Sequence, residues 1–314
     1  MTSEAATRAA AAAAPATKGA LGSLTYAVAV IGVGNMGGGM AAHLLEQGWP
    51  VRVCDLDQAK ARSFEAFGAL ALETPAQTAI NSVAVVVCVV DAQQTETVLF
   101  GEQGVAHALQ PGQVVMLCPT IAPENTEDFA RRLGEQGIHT IDAPMSGGPA
   151  RARDGSMSLM VACPDAVFER FGALISALSS KVFRISERVG DAARTKLVNN
   201  LLAGINLVGA AEVMVMAQRM GLDLGRTLNV IEQSSGQSWI GSDRMRRAIA
   251  QDYAPRAHMT LLEKDTRLAV AAGQAAGFCG PLGATAREVF ASASAAGLGG
   301  LDDAALFDWL GRPA

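Results

Sequence analysis

The sequence predicts two folded parts in order, an α/β domain and then an all-α domain. Three observations carry that expectation. Short β-rich runs alternate with helical patterns from Tyr26 to about Glu187, strand-like runs stop after Gly190, and a glycine-rich turn lies between the first strand and the first helix. Apolar runs without alternation, separated by helices, belong to a mostly parallel sheet covered on both faces.

The strand candidates are "YAVAVIG" (26–32), "PVRVCD" (50–55), "VAVVVCVV" (83–90), "QVVMLC" (113–118), "IHTID" (138–142), "MSLMVA" (157–162) and "KVFRI" (181–185). After Gly190 the chain reads as helices over roughly 191–219, 223–234, 239–250, 258–276, 281–296 and 302–310, punctuated by Gly221, Gly277 and Gly297. Residues 1–24 are Ala-rich, lack the leucine-rich core of a secretory signal, and are expected as a disordered tail. The expected division is therefore a tail at 1–24, a dinucleotide-binding α/β domain at 25–187 and an all-α substrate and oligomerisation domain at 188–314.

Composition narrows the function classes. The chain has 314 residues, half of them hydrophobic, and a net charge of −5, which argues against nucleic acid as a partner. The longest apolar stretch is interrupted by Asn206 and Glu212, so no membrane span is expected. Cys54, Cys88, Cys118, Cys163 and Cys279 are scattered and odd in number, and no histidines share a metal-ligand spacing. These features point to a reduced, cytoplasmic protein with no disulfide framework and no metal site.

Gly32, Gly34 and Gly37 form G-x-G-x-x-G, with Val33, Asn35 and Met36 between them. The context is an apolar strand before and an amphipathic helix after, near the start of a βαβ pattern. Glycines there allow a tight turn and let backbone N–H groups approach a pyrophosphate at the helix N-terminus. About 20 residues on, the next strand ends at Asp55, where a carboxylate can bind the adenosine ribose hydroxyls and repel a 2′-phosphate. Leu56 follows instead of an arginine, so NAD is favoured over NADP. Asp57 suits a helix N-cap better than a ribose ligand.

Ser146, Gly147 and Gly148 follow the strand ending at Asp142. A hydroxyl beside two successive glycine N–H groups suits a substrate carboxylate. The helix beginning near Asp191 is apolar almost all round from Leu197 on, yet it opens with Lys196, Asn199 and Asn200. A lysine and an asparagine four residues apart project from one face, and burying an ammonium there costs several kcal/mol.

Four stretches, "IGVGNMGGGMAAHL", "DAPMSGGPARARDGSMSLMV", "GDAARTKLVNN" and "EKDTRLA", occur in order. Together they resemble the β-hydroxyacid dehydrogenases, which include 3-hydroxyisobutyrate dehydrogenase and tartronate semialdehyde reductase. The resemblance covers residue 26 to about 310. It implies a Rossmann domain, a long interdomain helix and an all-α C-terminal domain. It implies Lys196 as catalytic acid/base and Asn200 as the asparagine that orients substrate, with Asn199 less clearly so. It also implies Ser146–Gly148 as the carboxylate loop, and Thr120 and Lys264 beside the cofactor. "SSGQSW" resembles a stretch of the hydroxyisobutyrate branch and makes Trp239 a candidate pocket wall; with "DAQQTETVLFG" it also resembles members acting on four-carbon sugar acids such as threonate. The sequence departs from the family pattern at Met145, at "ACPD" and at Thr266.

The expected function is NAD-dependent hydride transfer to or from the hydroxyl carbon of a small β-hydroxy acid, by a homodimer or homotetramer. Imine reductases share the architecture but usually lack this lysine. A non-catalytic dinucleotide-binding module would not need Lys196, Ser146 and Asn200 together.

Overall fold

The computed structural model describes residues 24–312 together with Thr17–Lys18. The expected tail at 1–24 otherwise lies outside the described residues. Thr17–Lys18 pairs antiparallel with Leu24–Thr25. The chain divides into two compact units. The first takes residues up to Pro119 and Glu124–Ala192; the second takes Thr120–Pro123 and Ala193 onward.

The first unit is built on a nine-stranded sheet: β1 (Val28–Ile31), β2 (Val51–Cys54), β3 (Leu70–Ala71), β4 (Ala84–Val87), β5 (Val114–Leu117), β6 (His139–Asp142), β7 (Met145–Ser146), β8 (Ser158–Ala162) and β9 (Lys181–Ser186). Its order is β9-β8-β6-β5-β4-β1-β2-β3, with β7 paired to β8. The run from β3 to β6 is parallel throughout. That order, 3-2-1-4-5-6, is the doubly wound Rossmann arrangement, whose strand order reverses between β1 and β4. The three central strands β1, β4 and β5 are buried at every position, which is why their sequences show no alternation.

Two strands escape the sequence reading. β3 has two residues, with Leu70 exposed at the sheet edge, too short to show a period. β7 lies inside a Pro-Met-Ser-Gly-Gly stretch that reads as loop; only its antiparallel pairing with Ser158 and Leu159 makes it a strand. The helices of this unit begin where short polar side chains cap them. Asp57 accepts from Lys60 N ahead of the helix Gln58–Ser63, and Thr74 from Gln77 N ahead of the helix Pro75–Ala79. Asp91 accepts from Gln94 N ahead of the helix Ala92–Phe100. The helix that follows the glycine-rich turn, Asn35–Glu46, packs closely on Gly148–Asp154; a Cβ on Gly39 would lie 2.9 Å from Ala152 Cβ.

The second unit is helical: Asp191–Arg219, Leu224–Glu232, Trp239–Ile249, Met259–Ala275, Pro281–Ala293 and Leu306–Leu310. The expected helix 281–296 instead stops at Ala293 and passes into a π-type turn over Ser294–Leu298, because Gly297 takes a left-handed conformation inside it. Leu207, Ala211 and Met214 of the long helix pack with Met259, Phe290 and Leu306 in one core. Among the described residues, this 29-residue helix alone is long and apolar enough to cross a membrane by length and composition. Its core-facing side is occupied by the helices of its own unit.

Candidate active site

In the first unit, the turn after β1 has the shape a dinucleotide pyrophosphate needs. Gly32 has φ +88°, and a Cβ there would lie 2.5 Å from the Cys88 carbonyl oxygen. A Cβ on Gly37 would lie 2.0 Å from the Gly32 carbonyl oxygen, so both positions exclude any side chain. Gly34 is different: a Cβ there meets nothing within 4 Å. Its surroundings are open space above the N-terminus of Asn35–Glu46, and no side chain caps that helix. Helix N-terminal amides facing an open cradle make an anion site. The arrangement fits a bound dinucleotide.

Asp55, just past β2, is held in place by backbone. Its Oδ2 accepts from Val33 N at 2.8 Å and its Oδ1 from Asp57 N at 2.9 Å. The carboxylate is thereby tied to the glycine-rich turn itself, a contact across 22 residues that no local pattern reveals. Leu56 points into solvent, 96 % exposed.

Ser146 ends β7, and Gly147 and Gly148 follow with φ +136° and +77°. Both values are ones that favour glycine, and a turn of this kind beside a serine hydroxyl is one setting in which backbone N–H groups can receive an anion. A Cβ on Gly147 would lie 2.9 Å from Arg151 Cδ, whereas Gly148 faces open space.

The second unit collects the other candidates. Lys196 is buried, 7 % exposed. Burial pulls its pKa down from 10.5 to about 8; the Asp265 carboxylate opposes that and the Lys264 ammonium adds to it. Asn200, one turn on, is also buried, and its Nδ2 donates to Asp265 Oδ2 at 2.5 Å. A carboxylate is acceptor-only, which sets the amide orientation. Asn200 Oδ1 then accepts from Asn199 Nδ2 at 2.9 Å. Lys264 Nζ lies 3.1 Å from Asp265 Oδ1, an ion pair without hydrogen-bond alignment, and donates to the Thr120 carbonyl oxygen. Thr120 therefore groups with Lys264 in the second unit although it follows strand β5 of the first. Trp239 is half-exposed at the first position of its helix, behind the Ser238 cap.

Asp265 is the site residue the sequence reading passed over. The signal was present: on Met259–Ala275 it shares the buried face with Leu262, Thr266 and Ala269, where a lone acid demands a partner. The partner is reached because Gly204 lets the two helices close. A Cβ there would lie 2.7 Å from Thr266 Cγ2. Gly204→Val is expected to overpack this contact at a cost of about 1–3 kcal/mol and to separate Asn200 from Asp265. Thermal denaturation should show the loss; an unchanged melting temperature would mean the contact is slack.

Comparison with known proteins follows the same division. The NAD binding domain of 6-phosphogluconate dehydrogenase matches residues 27–186. The NAD-binding region of NADP-dependent 3-hydroxyisobutyrate dehydrogenase matches residues 190–310. An L-threonate dehydrogenase from Cupriavidus necator is 38% identical over 279 residues, 89% of this chain and 94% of that protein. A 2-hydroxy-3-oxopropionate reductase from Escherichia coli K12 is 32% identical over 88% of this chain and 94% of its own length. The crystal structure of a 3-hydroxyisobutyrate dehydrogenase from Salmonella typhimurium superposes with a TM-score of 0.86 at 35% identity, covering 90% of this chain and 99% of that one.

Proposed function

Because the chain belongs to the β-hydroxyacid dehydrogenase family and is an NAD(P)-dependent oxidoreductase acting on hydroxy acids, we propose that its substrate is a four-carbon sugar acid such as L-threonate and that Lys196 is its general acid/base. The observation that carries the second part is a buried lysine with a pKa of about 8, one helical turn from an asparagine clamped by Asp265. The threonate dehydrogenase relative supports the first part.

A bound nicotinamide supplies the two-electron hydride acceptor or donor. The residues of the chain do the rest. In oxidation, neutral Lys196 takes the proton from the substrate hydroxyl as the carbon–hydrogen bond breaks; in reduction, its ammonium returns that proton to the forming alkoxide. A pKa of about 8 leaves both forms accessible near neutrality. Asn200 keeps one amide hydrogen and one lone pair for the same hydroxyl, because Asp265 and Asn199 use the others. Ser146, Gly147 and Gly148 take the substrate carboxylate, and Trp239 walls the pocket. Gly32–Gly37 and Asp55 hold the dinucleotide, with NAD preferred to NADP, and Thr120 and Lys264 flank its nicotinamide end. The working form is a homodimer or homotetramer in a reduced cytoplasm, a setting supported by five free cysteines.

The test is an NADH-absorbance assay over C3 and C4 hydroxy acids. L-Threonate is expected to give the highest kcat/KM, and its oxidation to rise with pH through about 8 as Lys196 loses its proton. A tenfold preference for 3-hydroxyisobutyrate or glycerate would overturn the substrate assignment. A flat profile between pH 6 and 10 would overturn the role of the lysine.

A further inference from the structure

We propose that the exposed ridge of the long helix between Val198 and Met220 is self-complementary and seats the same ridge of a second copy of this chain, antiparallel and centred on Gly209. This rests on the homo-oligomer reading above and names its interface. Val198, Leu202, Val213, Met216 and Met220 are all exposed apolar side chains on this helix or at its end, Ile205 is half-buried, and Gly209 is exposed. At 3.6 residues per turn these positions fall in one narrow strip about 33 Å long. No charged residue lies on it; Glu212 stands beside it.

The spacing is symmetric about Gly209. Ile205 and Val213 lie four residues either side, Leu202 and Met216 seven, and Val198 and Met220 eleven. A two-fold axis through Gly209 therefore makes apolar layers at every step: Val198 against Met220 of the partner subunit, Leu202 against the partner's Met216, and Ile205 against the partner's Val213. Only an isologous contact gives such a palindrome any meaning. At the centre, a Cβ on Gly209 meets nothing within 4 Å, so its own subunit makes no use of the missing side chain and a second backbone can approach there.

The ridge runs on into an apolar groove of about 340 Å³ lined by Leu201, Ile205, Phe278 and Leu282 among others, with Phe278 and Leu282 exposed at its border. Together the ridge and the groove border carry seven large apolar side chains, each 40–72 % exposed, a patch on the scale of the roughly 800 Å² that one partner buries in a standard-size interface. Isolated monomers rarely expose so large an apolar patch. A lipid surface would also accept apolar residues, but gains nothing from two-fold spacing and would place Glu212 at the membrane.

Sedimentation velocity of the full chain at micromolar concentration is expected to show a dimer or a multiple of it. Gly209→Glu sets two like charges against each other at the axis and should raise the dissociation constant at least 100-fold, with unchanged circular dichroism. In a Cys279→Ser background, Gly209→Cys should form a disulfide with its own copy under copper phenanthroline and air. Val198→Cys and Met220→Cys should do so together and not singly. An oligomer that survives Gly209→Glu and gives no Gly209→Cys cross-link overturns this interface but leaves the oligomer reading standing. A monomeric wild type overturns both, and a monomer that floats with phospholipid vesicles assigns the ridge to lipid.

Discussion

Lys196→Met should lower kcat by about 10²–10⁴-fold, the range that general acid–base catalysis contributes, with a far smaller change in the NAD dissociation constant. Methionine keeps much of the length and the apolar stem but carries no transferable proton. The glycine-rich turn and Asp55 belong to the other compact unit, so the groups proposed to hold the pyrophosphate and the adenosine ribose are untouched. The pH profile should change with the rate. Wild-type oxidation rises as the lysine deprotonates near 8, and the variant should lose that limb.

Stability should move the opposite way. The pKa of Lys196 in the folded protein, about 8, is below its unfolded value of 10.5. The unfolded chain therefore binds more protons between those values, and wild-type stability rises with pH across that window. Below pH 8 the folded state carries a buried charge at a cost of about 3 kcal/mol. Lys196→Met removes it, so its melting temperature at pH 7 should exceed that of wild type, and the gap should close as pH approaches 10. Near wild-type turnover, or a melting temperature below wild type at pH 7, would count against a desolvated acid/base lysine.

Replacing Asp55 by Asn together with Leu56 by Arg should shift the ratio of kcat/KM values at least tenfold from NAD toward NADP, a change of about 1.4 kcal/mol. Two effects add. The carboxylate that would face a 2′-phosphate loses its charge, and a guanidinium enters at a position already 96 % exposed, where it displaces no packing. Part of the shift should come as weaker NAD binding, because Val33 N and Asp57 N donate to different oxygens of the Asp55 carboxylate, and asparagine, with an NH2 in place of one oxygen, can accept only one of them. The measurement is steady-state kinetics with both cofactors. A wild type that already prefers NADP would show that Asp55 does not face the ribose.

The sequence by itself determined what depends on near neighbours. Six strands of the parallel sheet and its extension lie within the apolar runs read from composition, and a seventh, Lys181–Ser186, runs one residue past its run. The helix at 191–219 appears with the bounds its periodicity and flanking glycines imply. Gly32 and Gly37 were legible because their constraint is a steric one within a single turn. The same locality made Lys196 and Asn200 conspicuous, since four residues on a helix share a face.

Tertiary structure alone decided what depends on residues far apart in the chain. Asp265 meets Asn200 across 65 positions, and Lys264 meets Thr120 across 144. Asp55 grips the glycine-rich turn through an oxygen whose direction no pattern encodes. The edge strand β3 and the short β7 exist only through their partners, since two residues make no period. The pKa of Lys196 belongs to the same class. An ammonium titrates by the solvent and charges around it in three dimensions, and those come from Lys264, Asp265 and a buried helix face, not from the residues beside it in sequence.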